Sequence, residues 1–271
     1  MNNIPTYISG ESKNPCIFLP YLGEFGIMIF DYIKFVHFYK CPYKLVICPP
    51  EDRIFFPSAN EFMDFPLISK REYIYNYMNH PKYKQIASMV SYLYPSNYKI
   101  VFFYNSIPSD IVTELIFDFE IPKNIEKKFD IVIGSRKKDM FDYKNYEQWD
   151  YIVDKLNSVN YKIAVVGSPK FSSRIKNTFA SWEFGNDSKN ACLILKMSKL
   201  YIGTSAGISH LACFLQIPSI FINPPKTFEW DQWKDAMMTE LCKTNKNFTK
   251  RINAWNNPQR VVEEVMKYLS K

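Results

Sequence analysis

The feature that most limits the fold of this chain is a repeated order of short apolar runs, small-residue loops and helical patterns in its C-terminal half. The apolar runs are typical of buried strands and occupy residues 129–135, 162–168, 201–203 and 218–223. Segments with apolar residues at helical spacing lie between and beside them, at 146–158, 188–200 and 206–216. Strands that alternate with helices of this length predict a parallel sheet covered on both faces, the doubly wound α/β arrangement.

The N-terminal half opens in the same way. An apolar run at 16–19 ends in a loop with two glycines, and residues 27–40 have helical spacing. Further buried strands are predicted at 44–48 and 99–104, whereas residues 53–78 show no clear period.

A change of pattern separates the two halves. Residues 105–128 carry two prolines and a charged end, and a new strand and helix pattern begins after them. We therefore expect an N-terminal Rossmann-like domain at 1–125 and a C-terminal one at 126–271. Two such domains in tandem would bind a ligand between the carboxyl ends of their strands.

The composition indicates a globular protein, because 47% of the 271 residues are hydrophobic. No apolar run approaches the roughly 18–20 residues of a membrane span, and the N-terminus MNNIPTYISGESKNP lacks the basic and apolar order of a signal peptide. We expect a soluble, cytoplasmic protein, in the host cytoplasm if a phage encodes it. The six cysteines include no Cys-x-x-Cys pair, so neither a zinc site nor a disulfide framework is expected.

The positive charge belongs to the second half. Residues 1–125 contain 11 Lys and Arg against 12 Asp and Glu, a net charge of −1, whereas residues 126–271 contain 23 against 15, a net charge of +8. This asymmetry favours a C-terminal domain that binds an anion, either a nucleotide diphosphate or a nucleic-acid backbone. A solvated lysine-rich surface is the alternative interpretation.

The loop Gly203-Thr204-Ser205-Ala206-Gly207 connects a predicted strand to a predicted helix. Small residues allow a ligand to approach the backbone, and the first N–H groups of a helix have no partner inside it, so a diphosphate would suit this position. His210 lies one turn into the same helix and could reach the bound phosphate. The alternative is that His210 packs against the sheet.

Other charged or polar residues follow other strands. Ser135 lies at the end of the segment 129–135, where the strand enters a glycine loop. Arg136 and two lysines follow it, and Lys144 begins the next helix, so these four cations would add positive charge to the same edge of the sheet. A basic surface loop is the alternative for these cations. Glu24 lies between two glycines after the first strand, where it would act either as a general base or as a cap of the following helix.

Several of these segments together resemble the bacterial heptosyltransferase family, known as glycosyltransferase family 9. IGTSAGISHLACFLQIPSIFI is similar to the family's nucleotide-binding segment, and Leu22-Gly23-Glu24 to its Leu-Gly-Asp loop with the proposed catalytic base. Lys144-Asn145-Tyr146 with Trp149 resembles the basic residue, Asn and Trp-Pro that open a helix in that family. The resemblance implies the GT-B architecture: two Rossmann-like domains facing a cleft, with the donor bound mainly by the second, the acceptor by the first, and no metal.

The chain departs from the family within the binding loop. The family's Asp and the Thr or Ser after it are Ser205 and Ala206 here. Because that acid contacts the donor, the resemblance implies a nucleotide-sugar glycosyltransferase without specifying its sugar. The nucleotide sugar would be a substrate, so no cofactor is expected, and no Asp-x-Asp pair near a strand end indicates a metal. Glu24 would accept the proton of the acceptor hydroxyl, while Arg136, Lys144, His210 and the N–H groups of 205–207 stabilise the leaving diphosphate.

Three interpretations of the biological role remain open. A cell-surface glycan, as in lipopolysaccharide synthesis, is the acceptor that the resemblance implies. The basic stretch 243–251 instead favours a hydroxymethylated base of phage-type DNA, which a GT-B enzyme would flip into its active site. A non-catalytic nucleotide-binding module is the third interpretation, and a Glu24 kept between two glycines weighs against it.

Overall fold

The structure is a computed structural model. It describes residues 10–22, 28–64, 81–94, 96–101, 126–137, 145–185, 188–225, 238–239, 241–243 and 245–271. The chain divides into two compact units, Met1–Phe119 and Glu120–Lys271. In both units the described strands form a parallel sheet.

The first unit contains a four-stranded sheet with the order β3-β2-β1-β4. Its strands are β1 (Cys16–Phe18), β2 (Lys44–Ile47), β3 (Glu61–Met63) and β4 (Lys99–Val101). Its α-helices are α1 (Ile33–Phe38), which follows a π-helical turn at Met28–Tyr32, and α2 (Pro81–Leu93), and a 3₁₀ helix spans Pro50–Phe55.

Side chains that alternate along β1 and β2 separate the two faces of this sheet. Ile17, Leu19, Leu45 and Ile47 pack with Tyr83, Ile86 and Val90 of α2. On the other face, the ring of Phe18 contacts the rings of Phe35 and Tyr39 with centroid distances of 6.1 and 5.4 Å. The sheet is therefore covered by helical segments on both faces, as the apolar runs predicted.

Lys44 shows how the first unit uses a buried cation. Its Nζ donates to the carbonyl oxygens of Val36 and His37, at 2.7 and 2.8 Å, and so satisfies the last turn of α1. Burial lowers the pKa of this lysine below its usual value.

The second unit contains a six-stranded sheet with the order β10-β9-β8-β5-β6-β7. Its strands are β5 (Phe129–Gly134), β6 (Ile163–Val165), β7 (Phe179–Ala180), β8 (Ser198–Gly203), β9 (Ser219–Ile222) and β10 (Thr249–Ile252). Its α-helices are α3 (Trp149–Asn157), α4 (Ser188–Lys196), α5 (Gly207–Phe214) and α6 (Pro258–Leu269), and a 3₁₀ helix spans Ser181–Phe184. Numbered from its own first strand, the sheet has the order 6-5-4-1-2-3, which is that of a Rossmann fold.

Alternate residues of the central strands pack against α3 and α6 in one core. This core includes Ile131, Ile133, Leu200, Ile202, Ile220 and Ile222 from the strands, with Trp149, Ile152, Val153, Leu156, Val261, Val262 and Val265 from the helices. The opposite face carries Tyr201 and Phe221, whose ring centroids are 5.9 Å apart. The period of two along these strands is the cause of the two-faced packing.

Some element bounds differ from those expected. The helix predicted at 188–200 ends at Lys196, and the strand predicted at 201–203 begins at Ser198. The change occurs because Ser198 is buried at the start of β8 and its Oγ donates to the carbonyl of Ile194, at 2.8 Å. Strands β3, β7 and β10 and helices α2 and α6 lie outside the predicted elements. None of the helices in the described ranges is long and apolar enough to cross a membrane.

Candidate functional site

The strand order of the second sheet places its switch point between β5 and β8. The chain leaves β5 toward β6 on one side and later enters β8 on the other, so the connections diverge at the carboxyl ends of these two neighbours. Those ends are Gly134 and Gly203, which are paired across the two strands. Ligands of open α/β sheets bind outside such a point.

Tyr201 explains why both strand ends are glycine. A Cβ added to Gly203 would lie 2.1 Å from the Tyr201 hydroxyl oxygen, and one added to Gly134 would lie 2.2 Å from the same atom. Tyr201 precedes Gly203 by two residues and therefore points to the same face of β8. The glycines leave room for a phenol ring that runs beneath both strand ends. This role was not evident from the sequence, although a large residue two positions before a strand-ending glycine is a usable signal.

A chain of two hydrogen bonds leads from Tyr201 to the loop. The Tyr201 hydroxyl lies 2.8 Å from Ser209 Oγ, and Ser209 Oγ donates to the carbonyl oxygen of Thr204 at 2.5 Å. Tyr201 and Ser209 are fully buried, and Thr204 is 1% exposed. Burial raises the pKa of Tyr201 far above its usual value, so its hydroxyl stays protonated.

The loop after β8 presents unused N–H groups. Ser205, Ala206 and Gly207 are half-buried, and within the described part of the chain their backbone N–H groups donate to no protein acceptor. Ala206 is the N-cap residue of α5 and has no side chain that could accept a hydrogen bond. Three consecutive N–H groups at the start of a helix form an arrangement that suits an anion.

His210 lies one turn into α5. The residue is 3% exposed, and its backbone N–H donates to Ala206 O at 3.4 Å. Phosphate binding and packing against the sheet are both sequence predictions for this residue.

The loop after β5 is tied to the segment after β6. Ser135 is fully buried, and its Oγ donates to the carbonyl of Ser173 at 2.6 Å. Arg136 forms an antiparallel bridge with Ser172, and its guanidinium donates to Asn145 Oδ1 at 2.6 Å. Arg136 is 9% exposed, so its charge is held close to the end of β5. Asn145 belongs to the segment that resembles the family's Asn and Trp motif.

The other two charged residues of the predicted site lie outside the described residues. Glu24 and Lys144 therefore remain sequence predictions. In the described ranges, no group of three or more His, Cys, Asp or Glu side chains could hold a metal ion. All six cysteines are free.

The basic stretch 243–251 is partly built into the fold. Lys250 Nζ lies 2.5 Å from Glu264 Oε2 of α6. Arg251 donates from Nε to Asn223 Oδ1 at 3.0 Å and from an Nη to Thr239 Oγ1 at 2.7 Å. These two cations link β10 to its neighbours within the second unit.

Comparison with known proteins identifies the fold. No protein-family model matches the sequence, and no curated protein matches it. E. coli ADP-heptose LPS heptosyltransferase II is 12% identical, with a TM-score of 0.57 over 94% of this chain and 98% of that one. The glycosyl transferase family 9 protein of Veillonella parvula is 9% identical, with a TM-score of 0.52 over 96% of this chain and 99% of that one. This chain has the GT-B fold.

The GT-B fold confirms the fold class that the sequence predicted, and the resemblance to heptosyltransferases is confirmed in the structure. At sequence identities of 9–12%, this similarity establishes the fold alone. Within the GT-B fold, the Gly203–Gly207 loop follows the fourth strand of the second Rossmann-like unit. The functional argument therefore depends on the residues of that loop.

Proposed function

We propose that this protein is a metal-independent glycosyltransferase that moves a sugar from a nucleotide-sugar donor to an acceptor hydroxyl. The observation that carries the proposal is the row of N–H groups at Ser205, Ala206 and Gly207, which have no protein acceptor among the described residues and follow the switch-point strand of a GT-B chain. Such a row would bind the donor's diphosphate. Arg136, held near the end of β5, would add positive charge.

The proposed reaction is a single displacement of the diphosphate. The acceptor oxygen attacks the anomeric carbon, the bond from that carbon to the diphosphate oxygen breaks, and the Glu24 carboxylate takes the hydroxyl proton. Negative charge then grows on the leaving diphosphate, where the loop N–H groups, Arg136, Lys144 and His210 would stabilise it. A preorganised donor of this kind contributes about 3 kcal/mol to the transition state.

The donor class is broader than that of the E. coli neighbour, whose name specifies ADP-heptose. In the heptosyltransferase motif an acid contacts the donor, and the matching residue here is Ser205, which carries no charge. The proposal therefore covers nucleotide sugars as a class.

A glycan is the acceptor we propose, and DNA is the second candidate. The net charge of +8 on residues 126–271 favours DNA. Two observations favour the glycan: Lys250 and Arg251 are bonded within their own unit, and residues 1–125, the expected acceptor domain, carry a net charge of −1. DNA binding that weakens steeply as salt rises would support the second candidate.

A thermal-shift screen of the full-length chain tests the proposal. The ligands are UDP, ADP, GDP and CMP, their sugar conjugates, and the bare nucleosides as controls. A ligand at 100 times its dissociation constant adds about 2.7 kcal/mol to the free energy of unfolding, which raises the melting temperature measurably. We expect one nucleotide family to give this shift. If no nucleotide or nucleotide sugar shifts the melting curve, the proposal is wrong and a non-nucleotide ligand must be sought.

A further inference from the structure

We propose that Ser209 is a positioning residue that holds the Thr204–Ser205 peptide in the one orientation able to bind the donor's diphosphate. The inference rests on the proposed function, because it assigns to Ser209 the shape of the proposed diphosphate loop. It starts from the bond of Ser209 Oγ to the Thr204 carbonyl, at 2.5 Å, and from the Tyr201 hydroxyl 2.8 Å behind it.

The direction of the hydrogen bonds follows from counting protons. A carbonyl oxygen only accepts, so the single hydroxyl proton of Ser209 must point to Thr204 O. Ser209 Oγ then has only lone pairs to offer, so the Tyr201 hydroxyl must be the donor in the second bond. The chain runs from Tyr201 through Ser209 to Thr204, and each bond polarises the next.

Because the peptide bond is planar, the direction of the Thr204 C=O fixes the direction of the Ser205 N–H. In a trans peptide the C=O of one residue and the N–H of the next point in opposite directions. Because Ser209 holds the Thr204 carbonyl toward the buried Tyr201, the N–H of Ser205 points away from that buried pair. This N–H is the first of the three that have no protein acceptor among the described residues.

A rotation of this one peptide would reverse the local charge. The Thr204 carbonyl oxygen would then take the place of the Ser205 N–H, and its partial negative charge would repel a phosphate. The methyl side chain of the N-cap residue Ala206 cannot form a hydrogen bond that would prevent this rotation. Ser209 supplies the restraint from inside the first turn of α5, because its hydroxyl donates to the Thr204 carbonyl oxygen.

Ser198 provides a matched control at the opposite end of β8. Both serines are fully buried, and both donate a hydroxyl proton to a main-chain carbonyl, Ser198 to Ile194 O at 2.8 Å. Ser198→Ala and Ser209→Ala therefore remove the same atom and the same kind of bond to a carbonyl oxygen. Ser209→Ala also removes the acceptor of the Tyr201 hydroxyl, so this variant should lose more thermal stability than Ser198→Ala. Only Ser209 restrains the loop.

The test measures the affinity of the full-length chain for the nucleoside diphosphate that the wild type binds best, and for its nucleoside, by isothermal titration calorimetry below the melting temperatures. We expect Ser209→Ala to lower the affinity for the diphosphate about tenfold, as for the loss of one hydrogen bond, and to leave the affinity for the nucleoside unchanged. Ser198→Ala should leave both affinities unchanged. Tyr201→Phe, which retains the bond from Ser209 to Thr204, should weaken the diphosphate about two- to threefold.

The outcomes separate this inference from the proposed function. If the wild type binds a nucleoside diphosphate and Ser209→Ala binds it equally well, Ser209 has no positioning role and the proposed function stands. Equal losses for the diphosphate and the nucleoside would also overturn the inference, because they would indicate general damage to the unit. If the wild type binds no nucleotide, the proposed function fails first. If Ser209→Ala does not fold, Tyr201→Phe is the deciding variant. The inference is then contradicted if the ratio of its affinities for the diphosphate and the nucleoside equals that of the wild type.

Discussion

Tyr201 connects the core of the second unit to its candidate site. Its buried ring fills the space below Gly134 and Gly203, and its hydroxyl begins the hydrogen-bond chain that ends at the Thr204 carbonyl. A glycine is therefore needed at position 203 to make room for Tyr201. This reason adds to the one taken from the sequence, that small residues allow a ligand to approach the backbone. At the residue scale, the shape of the loop depends on side chains that no ligand would touch.

Alanine at either glycine should test this packing. Gly134→Ala and Gly203→Ala should each lower the free energy of unfolding by about 1–3 kcal/mol, because the new Cβ would lie 2.1–2.2 Å from the hydroxyl of the fully buried Tyr201. Adding Tyr201→Phe should rescue Gly134→Ala better, because the nearest remaining atoms are then at 3.0 Å. Beside Gly203, Tyr201 Cζ remains at 2.6 Å. Urea unfolding of the single and double variants measures how strongly Tyr201→Phe offsets each glycine substitution. Equal recovery of stability at both glycines would contradict these distances.

His210 should affect the diphosphate alone. If its imidazole donates to the leaving phosphate, His210→Ala removes a charge-assisted bond worth about 1.5–3 kcal/mol and weakens nucleoside diphosphate binding roughly ten- to a hundredfold. Binding of the bare nucleoside, measured by the same titration, should barely change. A parallel loss for both ligands, or a lower melting temperature without ligand, would assign His210 to packing.

Glu24 is tested by its nearly isosteric amide. Glu24→Gln should keep the fold and the nucleotide affinity but lower turnover at least ~10²-fold, as expected when a general base is removed. Release of nucleoside diphosphate from the nucleotide sugar, followed with and without acceptor, measures the turnover. Near-normal turnover would leave Glu24 as a helix cap.

At the scale of elements, the edge strand β10 depends on contacts outside its own sequence. It pairs with β9 along Thr249–Ile252, and Lys250 joins it to α6 through Glu264, at 2.5 Å. The hydrogen bond from Lys250 lowers the pKa of the Glu264 carboxyl below its usual value. The ion pair is part of how a polar strand stays attached to the sheet.

This ion pair gives a pH-dependent prediction. The pKa of Glu264 is lower in the folded protein than in the unfolded chain. Its ion pair therefore stabilises the fold fully above the unfolded pKa of about 4.3, and this stabilisation is lost as the pH falls through the folded pKa. Glu264→Gln should therefore cost about 0.5 kcal/mol at pH 7 and progressively less in acid. Urea unfolding from pH 7 to pH 3.5 measures this, with the exposed neighbour Glu263→Gln as the control. If the stability lost in Glu264→Gln is as large in acid as at pH 7, the ion pair does not stabilise the fold in this way.

The elements show what a sequence of this kind can and cannot predict. β5, β6 and β9 contain apolar runs at 131–133, 163–165 and 220–222, and the structure places strands within all three predicted segments. β10 is Thr-Lys-Arg-Ile, and its strand character arises from pairing with β9 and from the ion pair to α6, neither of which is local. The start of α6 did carry a local signal, since Asn257 caps it ahead of Pro258. In the site, the glycine loop was predictable, but Tyr201 and Ser209 act through distances that only the fold creates.

At the scale of the whole molecule, both units share one strand order. The four-stranded sheet and the first four strands of the six-stranded sheet both follow 3-2-1-4, numbered within each unit. Each unit thus has a switch point beside its first strand, at β1 and β4 in the first and at β5 and β8 in the second. The predicted base Glu24 follows the strand at the first of these points, and the Gly203–Gly207 loop follows the second.

Amide hydrogen exchange of the full-length chain tests the central claim most directly. The claim is that the N–H groups of Ser205, Ala206 and Gly207 bind the diphosphate, and these amides donate to no protein acceptor in the described residues. We predict that a saturating nucleoside diphosphate slows exchange in the peptide covering these residues at least about tenfold, and that the bare nucleoside does not. Exchange at these amides that stays unchanged, while the diphosphate binds and protects another segment, would contradict the account.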